Sequence, residues 1–121
     1  MATYNVYIAQ FKSMPTFHDA VYVEFEPGKG ILYHVIGGHG PGWQYETKAR
    51  DKVEESQQFY KKHFKGTLMT TDVTRVDQIC RTIPMPRNEV IHGVPRNKDC
   101  RHWVLEALEE MQKQGIYSPS K

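Results

Sequence analysis

Cysteine is scarce in this chain. Cys80 and Cys100 are the 2 present in 121 residues, too few for a disulfide framework. Long apolar runs are missing as well. No window approaches the roughly 18 apolar residues that a membrane-spanning helix requires, so no membrane span is expected. The opening Met1-Ala2-Thr3-Tyr4-Asn5 carries neither the basic nor the apolar segment of a secretory leader. These absences predict a cytoplasmic, reducing setting in which both thiols are free.

An excess of charge of one sign is absent too. Against 16 Lys and Arg stand 14 Asp and Glu, for a formal charge of +2, and the two signs are interspersed. With no basic block and no aromatic-basic platform, nucleic acid is not an expected partner. Cys-x-x-Cys, His-x-x-x-His and His-Glu-x-x-His do not occur, so His39, His92, His102 and the cysteines are not expected to hold a metal, and no cofactor is implied. Nothing pairs carboxylates across a cleft: Glu24 and Glu26 flank a turn, and Asp72 and Asp77 read as cap and surface residues.

What the chain does contain is two β-rich runs around a turn. His18 to Phe25 alternates, with Ala20, Tyr22 and Glu24 on one face and Val21, Val23 and Phe25 on the other. Glu26-Pro27-Gly28-Lys29-Gly30 turns, and Ile31 to Ile36 returns. A weaker strand over Tyr4–Phe11 precedes this hairpin. The run Gly37-Gly38-His39-Gly40-Pro41-Gly42 lacks the Lys-Ser/Thr ending and the following helix of a phosphate loop, and reads as a flexible turn beside a site. Behind it, Trp43 and Tyr45 share a strand face and are candidates to contact a substrate, with Tyr22; core packing explains Trp43 and Tyr45 equally well.

Val53, Gln57, Tyr60 and Phe64 make a helical stripe, which predicts a short surface helix within residues 50–64. A strand over Gly66–Thr71 follows. Asp72 is placed to cap a helix bearing Val73, Val76, Ile79 and Cys80. Cys80 falls at that helix's C-terminal end, where the dipole disfavours a thiolate, so it reads as structural. The polar lead-in Asn97-Lys98-Asp99 then opens a helix with Trp103, Val104, Ala107, Leu108 and Met111 on one face, ending near Gln114 before Gly115. Residues 116–121 read as a loose tail of a single domain, 1–121.

Cys100 occupies the first turn of that last helix, where the positive end of the dipole favours the thiolate. A plain core cysteine is the alternative. His18 and His34 stand on strands that the hairpin brings side by side. If the helix packs on their face, the thiol meets one imidazole to take its proton and a second group to orient that imidazole. The bland alternative makes His18 a strand-edge residue and His34 a hydrogen-bonded one.

The segment Asn97-Lys98-Asp99-Cys100-Arg101-His102-Trp103-Val104 resembles the Asn-Cys-Glu-His-Phe-Val signature of the lecithin-retinol-acyltransferase-like proteins, the circularly permuted branch of the papain-like NlpC/P60 superfamily. His18-Asp19-Ala20-Val21-Tyr22-Val23 resembles that family's His-Trp-Ala-hydrophobic-Tyr-Val strand, and Leu32-Tyr33-His34-Val35 its hydrophobic-Val-His-hydrophobic strand. The chain is also similar to a group of small uncharacterised fungal proteins sharing His-Val-x-Gly, Tyr-Glu and Asn-Cys-x-x-Trp-Val. The resemblance covers about a third of the chain and implies Cys100 as nucleophile, His18 as general base and His34 as the orienting third member. Two residues intervene between the motif's Asn and Cys, Asp19 replaces the strand Trp, and the membrane-anchoring tail of several acyltransferase members is absent.

The resulting expectation is an α+β, permuted papain-like domain: a small antiparallel sheet with the C-terminal helix packed on it. Its expected activity is that of a thiol hydrolase or acyltransferase acting on an ester, thioester or amide of an unknown small-molecule or peptide substrate. The alternative is a non-catalytic module of the same fold that binds a small molecule or a protein.

Overall fold

Pro27-Gly28 is where the architecture starts. The ring of Pro27 fixes its φ, and Gly28 takes φ 81°, a left-handed conformation that side chains disfavour. The chain therefore reverses in two residues between strands Thr16–Glu26 and Lys29–Gly38, a tighter turn than the five-residue one read from the sequence. Gly30 sits just inside it, and a Cβ there would collide with the Val23 carbonyl oxygen and the Tyr22 ring. Antiparallel pairing of Val21 with Tyr33, Tyr22 with Leu32 and Val23 with Ile31 follows, as the alternation predicts.

The computed structural model describes residues 2–13, 16–38, 42–51, 59–86, 88–91, 94–97 and 100–120. In chain order the strands are β1 (Thr3–Ser13), β2 (Thr16–Glu26), β3 (Lys29–Gly38), β4 (Gly42–Asp51) and β5 (Phe59–Met69). After a 3-10 turn at Thr70–Asp72 come helix α1 (Val73–Cys80), the hairpin β6 (Asn88–Ile91) and β7 (Val94–Asn97), helix α2 (Cys100–Lys113) and β8 (Tyr117–Pro119). Six strands form one antiparallel sheet in the order β4-β3-β2-β1-β5-β8, and β6 and β7 pair separately.

Alternation sorts the sheet into two faces. Val6, Ile8, Val21, Val23, Tyr33, Val35 and Leu68 join Val76 and Ile79 of α1 and Trp103, Val104, Ala107, Leu108 and Met111 of α2 in the main core. Each large aliphatic or aromatic side chain removed from water there contributes about 1.5–3 kcal/mol, and Trp103, Val104 and Met111 are essentially inaccessible. The reverse face carries a smaller cluster of Ala9, Phe11, Ala20, Tyr22 and Leu32, with no helix residue among its described members. An α+β domain with the C-terminal helix packed on an antiparallel sheet is therefore present. No described helix is long and apolar enough to cross a membrane.

Three local readings change. The stripe taken for a surface helix yields β5 over residues 59–69, while Val53 and Gln57 lie outside the described residues. The reason is non-local: β1 already pairs β2 on one side, and β5 satisfies the backbone groups along its other edge, from Thr3–Met69 to Phe11–Phe59. The tail taken for loose adds β8 instead, with Tyr117 opposite Leu68 and the Tyr117 hydroxyl donating to the Lys65 carbonyl at 2.8 Å. Asp72 stands at the N-cap of α1 without a side-chain capping bond, its carboxylate lying 3.9 Å from Arg75. Lys98 and Asp99 of the polar lead-in, the loop residues 39–41 and His92 lie outside the described residues.

Candidate functional site

The two histidines singled out by sequence meet. Direct pairing of β3 with β4 sets His34 opposite Glu46. The β2–β3 register sets His18 diagonally across from His34, with ring centroids 4.9 Å apart. A hydrogen-bonded chain runs over three strands: His18 Nε2 to His34 Nδ1 at 2.7 Å, and His34 Nε2 to Glu46 Oε1 at 3.0 Å.

The acceptor at the end of this chain fixes the direction of its last bond. Glu46 as carboxylate only accepts, so His34 donates through Nε2–H. Between the two rings, His18 Nε2 and His34 Nδ1 share one proton, one nitrogen donating and the other accepting. Burial pulls the His18 pKa down from 6.5 to about 4, the charge of His34 adding to the fall and that of Glu46 opposing it. His18 is thus a neutral imidazole at pH 7. The other end of the chain reaches water, since the Glu46 side chain is 41% exposed.

Cys100 belongs to the other face. It opens α2, is 7% exposed, and is part of the main core with Trp103 and Val104. His18 and His34 share parity with Ala20 and Leu32, members of the reverse-face cluster. The helix was expected on the histidine face; instead it covers the face bearing Val21 and Val23. Its wide apolar stripe matches the denser apolar side of the sheet, which runs through Val6, Ile8, Val21, Val23 and Val35.

The three candidate substrate-contacting residues divide in the same way. Trp43 and Tyr45 pack against the helix-side core, Tyr45 lying 5.7 Å from the Trp103 ring and donating its hydroxyl to Asp77 Oδ1 at 2.8 Å. Tyr22 is fully buried in the reverse-face cluster. Cys80 is fully buried as well, and its thiol is pushed up to about 12, chiefly by burial, with a hydrogen bond to Tyr45 pulling down and the Asp77 charge pushing up. Among the described residues no three His, Cys, Asp or Glu converge as a metal-binding group.

A cleft of about 270 Å³ opens between the β2–β3 hairpin, β4 and α1. Phe25, Ile31, Tyr33 and Val73 give it apolar walls, and Thr47, Thr74, Asp77 and Arg81 a polar rim. Asp77 is desolvated in part, which pushes its pKa up, but bonds from Arg81 and Tyr45 and the guanidinium charge outweigh this and hold it low. Arg81 Nε donates to Asp77 Oδ2 at 3.0 Å, and the guanidinium lies over the Tyr45 ring.

Sequence reasoning missed Glu46, although one signal was in view: behind a glycine turn, Glu46 falls in the parity that pairs it with His34. It also missed a polar string on the helix side. There His63 Nε2 donates to Gln10 Oε1 at 2.8 Å, and Gln10 Nε2 donates to buried Asp19 at 3.2 Å. Asp19 is the position at which the resemblance expected Trp.

Fold and site together define a small α+β domain, one helix-covered sheet with a Glu-His-His chain on its reverse face and a cleft beside its first helix. The chain belongs to the family described as Family of unknown function (DUF6540), whose model matches residues 6–118. No curated protein and no solved structure matches it.

Proposed function

We propose that this chain is a non-catalytic module that binds a small molecule in the cleft between the hairpin, β4 and α1. The observation that carries this reading is the division of the chemistry between two faces: Cys100 lies in the helix-side core, and His18 and His34 stand with the opposite cluster. A thiol and its base must share a hydrogen bond to exchange a proton. The cleft supports the binding half, because apolar walls with a few polar groups at the rim are the usual composition of a small-molecule site.

Alkylation of Cys100 as a function of pH tests the non-catalytic half. Wild type and His18→Ala are expected to give overlaying rate–pH profiles, with the fold of each checked by circular dichroism. A profile displaced to higher pH in the variant would overturn it.

One observation favours a second reading. The His18–His34 bond at 2.7 Å is the pairing that the resemblance calls for, and Glu46 extends it. On that reading the domain is permuted papain-like, and Cys100 attacks an ester, thioester or amide carbonyl while His18 takes and returns the proton. The same pair of profiles decides between the two, since only this mechanism needs Cys100 and His18 to communicate.

A further inference from the structure

We infer that the cleft beside α1 takes a small amphiphile with a carboxylate head, the chain lying against Ile31, Tyr33 and Val73 and the head held by Arg81. This inference rests on the binding-module reading and names its ligand class.

The geometry of Arg81 carries the argument. A guanidinium offers donors along two edges, one through Nε and the other through its terminal nitrogens. Asp77 takes the Nε side at 3.0 Å, and among the described residues no acceptor meets the terminal nitrogens. That open edge is the planar fork that receives the two oxygens of a carboxylate. Asp77 does not compete for a cation, because its two oxygens already accept from Tyr45 and Arg81. The pair also anchors the fork: Asp77 fixes the guanidinium from one side while the Tyr45 ring lies 5.3 Å beneath it.

Below this rim the walls are apolar. Tyr33 is 3% exposed and Phe25, at the mouth, 38%. At about 270 Å³ the cleft lies just below the usual range of about 300–1,000 Å³ for ligand pockets. It therefore suits a short acyl chain or a single ring and not an extended lipid.

Titration of the ¹⁵N-labelled protein with sodium hexanoate and with 1-hexanol, read by amide chemical shifts, tests the assignment. Both should perturb residues 31–33 and 73–81, with hexanoate binding about tenfold more tightly, the worth of one charge-assisted contact. Arg81→Gln should weaken hexanoate about tenfold and leave hexanol unchanged. Thr74→Trp, at an exposed helix position on the rim, should fill the cleft and abolish both titrations without unfolding the chain.

Equal affinity for the two probes, unmoved by Arg81→Gln, would overturn the carboxylate assignment and leave the binding module standing. Perturbation that survives Thr74→Trp, or no perturbation by either probe, would remove the cleft as a site and the module reading with it.

Discussion

Replacing His18 with Gln should abolish a specific part of the pH dependence of stability. In the fold the His18 pKa is lowered from 6.5 to about 4, by burial first and by His34 second. Between those two values the unfolded chain carries a proton on His18 and the folded chain does not, so lowering the pH favours unfolding. The contribution of neutral His18 is intact above 6.5, and the cost is nearly complete at about 4. For a group wholly out of water the difference amounts to about 3 kcal/mol. The His18 ring keeps some solvent contact, which reduces this to about 2 kcal/mol. Gln is the informative replacement, because its amide offers both a donor and an acceptor toward His34 Nδ1 while removing the titrating ring. Urea unfolding of both proteins at pH 7.5, 6, 5 and 4 gives the difference directly, and carboxylates titrating in both cancel. The variant should gain about 2 kcal/mol relative to wild type on going from pH 7.5 to 4. A difference that stays flat over this range would refute the reasoning, as would an imidazole resonance of His18 that titrates at or above 6.5.

Iodoacetamide at neutral pH should modify Cys100 before Cys80, because Cys80 is fully buried with its thiol pushed up to about 12, whereas Cys100 stands at a helix N-terminus; peptide mapping showing Cys80 labelled first would reverse the assignment. Tyr45→Phe removes the hydroxyl that donates to Asp77 at 2.8 Å and should cost about 1 kcal/mol in urea unfolding; an unchanged unfolding free energy would refute a net contribution from that bond. Gly30→Ala sets a methyl against the Val23 carbonyl at the turn end of the β2–β3 pairing and should destabilise by about 2 kcal/mol or more; an unchanged melting temperature would mean that the hairpin yields there without penalty.

Much of the local structure was legible in the residues themselves. Alternation over His18–Phe25 and Ile31–Ile36, with Pro27-Gly28 between them, determines the hairpin, because a two-residue period and a turn that needs positive φ leave few other conformations. The three- and four-residue spacing from Trp103 to Met111 determines α2 for the same kind of reason. Parity likewise made the meeting of His18 with His34 foreseeable. Parity states which residues share a face but is silent on which face a helix will cover, and that choice depends on the summed apolar surface of both sides. Only the tertiary packing therefore put Cys100 with Val21 and Val23 and left the histidines on the reverse side. Residues 59–64 show the same limit: the spacing of Tyr60 and Phe64 fits a helix, yet the unpaired edge of β1 draws them into a strand, and an edge more than 45 residues away in the chain leaves no local mark. The cleft is a further step removed, since Phe25, Tyr33, Thr47 and Arg81 come from four separate segments and become neighbours only when α1 docks beside the sheet.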